Sequence, residues 1–90
     1  MREIDLSRVS EKYITKLPYK QRRQVVEKVF KLADDPQPSD ASLLHGYKGH
    51  YRADISEYRI IYRFSSTTVY VALIGKRNDG EVYKKFKRMI

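Results

Sequence analysis

The chain has no cysteine and only two histidines among its 90 residues. Disulfide stapling, thiolate metal sites and cysteine nucleophiles are therefore excluded. His45 and His50 have no carboxylate cluster beside them, so neither a metal nor a cofactor is expected. No apolar run approaches the roughly 20 residues that cross a bilayer. The opening "MREIDLSRV" lacks the apolar core of a signal peptide, and the expectation is a soluble, cytoplasmic chain with no membrane role. Phosphate-cradling glycine loops and triad spacings are also missing. A chain of this length makes one domain, residues 1–90, with one modest core and no second layer to enclose a cleft. Any site must then lie on an open face or in a shallow groove.

What the sequence does have is positive charge. Lysine and arginine number 19 against 11 acidic residues, a net charge of +8. The excess is uneven, with +2 over residues 1–47 and +6 over residues 48–90. A field of that sign attracts phosphate backbones, acidic proteins or anionic membranes without choosing among them.

"REIDLS" alternates Ile4 and Leu6 with charges and reads as a first strand. Val9, Tyr13, Ile14 and Leu17 share one side of a short helix that Pro18 stops. From Tyr19 to Asp34, the apolar stripe Val25, Val26, Val29, Phe30 and Ala33 predicts a longer amphipathic helix. With almost no spacer the two helices make a hairpin. "DPQPSDASLLHGYKG", with two prolines and two glycines, reads as a loop.

From His50 the period becomes two. A turn at Ser56 and Glu57 sets Ile55 against Tyr58, Asp54 against Arg59 and Ala53 against Ile60. A turn at Ser66 and Thr67 sets Phe64 against Val69, Tyr62 against Val71 and Ile60 against Leu73. Both registers give one apolar face containing Tyr51, Tyr58, Tyr62 and Leu73, which the helical hairpin would cover. The opposite face carries Arg52, Asp54, Arg59, Ile61, Arg63, Ile74 and Lys76. Strict alternation would drive Arg77 into the core, so the strand is expected to end or bulge at Gly75. After an "NDG" turn, Val82, Phe86 and Met89 or Ile90 recur at helical spacing among Lys84, Lys85, Lys87 and Arg88. This predicts a short basic C-terminal helix held by few apolar anchors. The expected fold class is α+β: an antiparallel sheet of about four strands, an N-terminal helical hairpin on one face, and the basic helix.

Arg52, Arg59, Lys76, Arg77 and Tyr83 converge from three strands and a turn. Arginine forks suit the non-bridging oxygens of a phosphodiester, and a tyrosine ring suits a base. Metal-free RNA cleavage needs a group to take the 2′-hydroxyl proton, cations for the transition state and an acid for the leaving 5′-oxygen.

"YRADISEYRIIYRFSSTTVYVALIGKRNDGEVY" resembles the C-terminal half of RelE-type toxins of bacterial and archaeal type II toxin–antitoxin systems, within the RelE/ParE superfamily. "EYRIIY" and "GKR…EVY" are the more specific parts. The resemblance implies a toxin that enters the ribosomal A site, cuts messenger RNA without a metal and is neutralised by a cognate antitoxin with an acidic binding segment, in a higher-order complex. It also implies roles: Arg52 on the scissile phosphate, Arg59 on the transition state, Arg77 as general acid or charge stabiliser, and Tyr83 orienting the nucleotide. Lys48, Lys76, Lys84, Lys85, Lys87 and Arg88 would contact RNA.

Where the RelE pattern has a second lysine, assigned to proton abstraction, this chain has Asp54. A cross-strand pair with Arg59 would favour its charged form and lower its basicity. Lys48, His50 and Asp54 remain the candidate bases. Two alternatives share the fold: a ParE-like toxin that inhibits DNA gyrase by binding, and a relative that binds RNA without cutting it.

Overall fold

The computed structural model describes residues 1–77 and 80–89. Asn78 and Asp79 of the expected "NDG" turn, the Met89 side chain and Ile90, the two candidates for the last anchor, lie outside what is described. Among the described residues the order is β1 (Glu3–Leu6), α1 (Arg8–Lys16), α2 (Tyr19–Asp34), β2 (Ser42–Leu43), β3 (Tyr51–Ile55), β4 (Tyr58–Phe64), β5 (Thr68–Lys76) and α3 (Glu81–Met89). The strands form one sheet in the order β1-β5-β4-β3-β2. The α+β class and helical hairpin are as expected. The sheet gains a fifth strand, the two-residue β2, from the segment read as loop. It is also mixed, because β1 pairs parallel with β5. A helical hairpin separates β1 from the later strands, so no tight turn forces antiparallel pairing there.

Ser7 caps α1 by accepting the Ser10 N–H at 3.1 Å, which satisfies one of the free donors of the first turn. Helix α2 buries Val25, Val29, Leu32 and Ala33. Phe30, placed in the stripe by its spacing, is 49% exposed, and Leu32 fills the core instead. With Ile14, these side chains cover Ala53, Tyr58, Ile60, Tyr62, Val69, Val71 and Ile74. Tyr62 donates its hydroxyl to the Pro36 carbonyl at 2.6 Å. Burial pushes its phenol pKa up, which keeps this core hydroxyl neutral.

The β3–β4 register is the expected one, from Ile55 opposite Tyr58 to Ala53 opposite Ile60. Ser56 adopts the left-handed φ of 53° in the two-residue turn, a conformation that such tight turns require. In the β4–β5 hairpin, Phe64 opposite Val69 and Tyr62 opposite Val71 hold as expected, but Ile61 then faces Leu73 and Ile60 faces Ile74. Ala72 is the extra residue, so the bulge lies there and not at Gly75. One inserted residue reverses the parity of everything after it. Ile74 moves to the hairpin face and Leu73 to the opposite one. The junction of β1 and α1 satisfies the bulge: Ser7 Oγ donates to the Ala72 carbonyl at 2.7 Å, and Ser7 N–H to the Val71 carbonyl at 3.0 Å.

Leu73 is buried because α3 covers that second face. Val82 and Phe86 are each 1% exposed and pack with Leu44, Ile61 and Leu73. Phe86 lies between Tyr47 and His50, at 5.0 Å from each ring. The expected weakly held helix is corrected: its two described anchors complete a second apolar cluster. Gly75 has a packing role, since a Cβ there would stand 3.2 Å from the Val82 Cβ.

Candidate functional site

Neighbouring positions on β3 and β4 set Asp54 beside Arg59. The parity change at Ala72 then turns Arg77 toward the same face. Its backbone N–H donates to the Glu57 carbonyl at 3.0 Å, which fixes its start beside the β3–β4 turn. Tyr83 arrives from the first turns of α3, whose position is set by Val82 on Gly75.

The side chains meet in one network. Arg59 forms a two-point pair with Asp54, Nε to Oδ1 at 2.7 Å and Nη2 to Oδ2 at 3.1 Å. Arg77 Nη1 donates to Asp54 Oδ2 at 3.4 Å. The Tyr83 hydroxyl oxygen accepts Arg52 Nη1 at 2.9 Å and also accepts Arg59 Nη1. Arg52 is steadied from the other side by Nε donation to Ser42 Oγ at 3.0 Å.

Arg59 and Arg77 share the Asp54 carboxylate and Arg52 adds a third guanidinium through Tyr83, so among the described residues the cluster keeps a surplus of positive charge. The hydrogen bonds from Arg59 hold the Asp54 carboxyl below its ordinary value of 3.8, helped by the charges of Arg59 and Arg77 and opposed by burial. The same pairing raises Arg59 further, so both groups are charged across the physiological range. Side-chain exposure divides the pair from its neighbour, at 16% for Arg59, 31% for Asp54 and 49% for Arg77. Arg77 therefore presents the most accessible fork to an incoming anion.

Of the residues singled out in the sequence, Arg52, Asp54, Arg59, Arg77 and Tyr83 come together. Lys76 pairs with Tyr58 across the strands and so starts on the hairpin side. His50 leans edge-on against Phe86, with Nδ1 3.3 Å from the Lys48 carbonyl oxygen. Lys48 itself is exposed in the loop, and Lys84, Lys85, Lys87 and Arg88 are exposed along α3. Ser42 was missed by the sequence reading. Its two-residue strand carries no periodic signal, and only its pairing with Arg52 gives it meaning.

A helical hairpin on one face of a mixed sheet, with a C-terminal helix on the other, is a fold similar to that of solved RelE toxins. A free-state mutant of the E. coli toxin RelE is 24% identical over 99% of this chain and 98% of its own, with a TM-score of 0.78. In the RelBE2 toxin–antitoxin complex of Mycobacterium tuberculosis, the matching chain is 25% identical over 84% of this chain and 98% of its own, with a TM-score of 0.71. For the archaeal RelE–RelB complex of Pyrococcus horikoshii the values are 22%, 87%, 97% and 0.73. No curated protein matches the chain. The family model for the ParE toxin of type II toxin–antitoxin systems, parDE, matches residues 4–80. The chain belongs to that family, and with it to the RelE/ParE superfamily of type II toxins.

Proposed function

We propose that this toxin is a metal-independent endoribonuclease that cuts messenger RNA on the ribosome and is held inactive by a cognate antitoxin. The observation that carries the reading is one network in which Arg52 and Arg59 meet at the Tyr83 hydroxyl and the exposed Arg77 reaches the Asp54 carboxylate that holds Arg59. In such a reaction the 2′-hydroxyl loses its proton to a base, and its oxygen bonds to phosphorus. The bond from phosphorus to the 5′-oxygen breaks, and that oxygen takes up a proton. Negative charge grows on the non-bridging oxygens, where fixed guanidinium groups stabilise the transition state more than the ground state. Arginine keeps its proton near neutrality, so the role of Arg77 and Arg52 here is to hold the phosphate and its developing charge.

The antitoxin part of the reading is supported by neighbours whose structures are complexes of RelE with RelB. A net charge of +8 suits a partner with an acidic binding segment.

The match to the ParE toxin model supports keeping the other reading raised from the sequence, a toxin that arrests growth by binding DNA gyrase. Primer extension on a reporter messenger RNA, after brief expression of the parent chain or Arg77→Ala, separates the two. Cuts within translated codons, lost in Arg77→Ala, are the expected result. Growth arrest with an intact message and blocked gyrase supercoiling would replace the nuclease reading by the gyrase one.

A further inference from the structure

The three arginines of the cluster are not equivalent. Arg59 has all three side-chain nitrogens engaged: Nε and Nη2 by the two oxygens of Asp54, and Nη1 by Tyr83. At 16% exposure it has no open fork for a phosphate. Among the described residues Arg77 makes one side-chain hydrogen bond, at 3.4 Å, and its side chain is half exposed. Tyr83 oxygen accepts from both Arg52 and Arg59. A phenol oxygen has two lone pairs, so its own proton is left to point at a third partner.

We propose that Asp54 is a positioning residue: it locks Arg59 as a strut that sets the Tyr83 hydroxyl, and so leaves phosphate binding to Arg77 and Arg52. The inference rests on the nuclease reading for its catalytic consequence, but not for its structural one. Asp54 and Arg59 are direct cross-strand neighbours, so the lock lies within one hairpin and needs no contact from α3. A carboxylate held by two parallel N–H bonds fixes the guanidinium plane as well as its position. The plane matters because the third nitrogen then points at Tyr83. Asp54 acts through Arg59 and does not take the substrate's proton. The sequence difference that looked like a missing base is a support built for the tyrosine.

Four chains test this: the parent, Asp54→Asn, Arg59→Lys and the double variant. The first readout is NMR of the arginine Nε–H groups and the Tyr83 ring, which needs no activity. Exchange of the Arg59 Nε–H with solvent is expected to be at least about 10-fold slower than that of Arg77 in the parent, because it is paired and buried. Asp54→Asn should abolish that difference and shift the Tyr83 signals. Equal exchange in the parent, or Tyr83 signals unmoved by the substitution, would overturn the proposal. The parent comparison decides even if a variant does not fold.

The second readout is single-turnover cleavage of ribosome-bound message, beside affinity for ribosomes carrying a message with a 2′-O-methyl group at the scissile position. Each single variant is expected to lose up to about 10²-fold in rate, the scale of a misplaced catalytic group. Affinity should stay within about twofold, since the lost interaction belongs to the transition state. The double variant should be no slower than the slower single one, because both act on the same strut. Multiplying losses, or an acid limb of the pH–rate profile that disappears in Asp54→Asn alone, would make Asp54 a proton-transfer group instead. A faster Asp54→Asn would make it a competitor of the phosphate. A parent that cuts no ribosome-bound message would refute the nuclease reading, and the NMR comparison would still decide the role of Asp54.

Discussion

Val82 sits directly over Gly75, so close that any Cβ at residue 75 would lie 3.2 Å from the Val82 Cβ and 3.4 Å from its Cγ2. The approach of α3 to β5 is thus set by a missing side chain. One position along the same helix, Tyr83 reaches Arg52 and Arg59.

A bulky residue at 75 is therefore expected to lift α3 and with it Tyr83. Gly75→Val should lower unfolding stability by about 1–3 kcal/mol, the usual cost of overpacking a filled core. Cleavage should fall to the level of Tyr83→Ala. Urea unfolding and the message-cleavage assay measure the two effects. Full cleavage in Gly75→Val would show that α3 tolerates displacement without loss of the site.

The same packing explains what the sequence revealed and what it hid. The β3–β4 hairpin was legible because one of its faces is apolar and the other charged, so only one register hides Ala53 and Ile60 while exposing Asp54 and Arg59. Farther along, "RIIY" and "VALIG" are apolar on both faces, since α3 covers the side opposite the hairpin. A strand buried on both faces has no alternation to read. Exchanging Leu73 and Ile74 between faces leaves the pattern equally apolar, so the bulge at Ala72 left no trace. The gathering of Arg52, Arg59, Arg77 and Tyr83 is legible in the strand layout, and their individual roles come only with the family resemblance. The geometry that turns Arg77 outward was assigned to Gly75, three residues from the bulge that produces it.

Phe86 is the anchor whose loss should matter most in α3. It is 1% exposed and lies between the rings of Tyr47 and His50. Phe86→Ala is expected to cost about 3–5 kcal/mol, combining lost burial with a cavity. Chemical denaturation checks the value, and a loss below about 1 kcal/mol would mean that the site collapses around the gap. Deleting residues 84–90 removes the same ring, so the truncated chain should be less stable and not merely weaker in binding.

Asp54 supplies a pH dependence whose sign follows from its depressed pKa. The folded value lies below the ordinary 3.8, so the folded state holds fewer protons than the unfolded one as acid is added. Its contribution is present above pH 3.8 and is lost as the pH falls through the folded value. Relative to Asp54→Asn, the parent should hold its largest advantage in Tm near neutrality, and the gap should narrow below pH 3.8. Thermal unfolding across the acid range tests this. A gap that stays constant would mean that the carboxylate contributes nothing through its charge. The pair is partly exposed, so added salt should shrink the advantage as well.

On the proposed nuclease reading, the cations of α3 bear on where RNA would lie. Lys84 and Lys87 are exposed on the helix that carries Tyr83, whereas Lys16 and Lys31 are exposed on the hairpin at the opposite face of the sheet. Removing either pair changes the net charge equally, so a purely nonspecific field would respond alike to both. If the phosphate backbone runs past Tyr83, only the first pair displaces condensed counterions. Ribosome affinity of the Lys84→Ala and Lys87→Ala double variant should then fall less steeply with salt, by about 0.7–0.9 in log–log slope for each cation removed. Lys16→Ala with Lys31→Ala should leave the slope unchanged. Both pairs are solvated, so stability should stay within about 0.5 kcal/mol of the parent in each case. Equal slopes for the two variants would mean that binding is set by total charge, and would remove α3 from the RNA-facing surface.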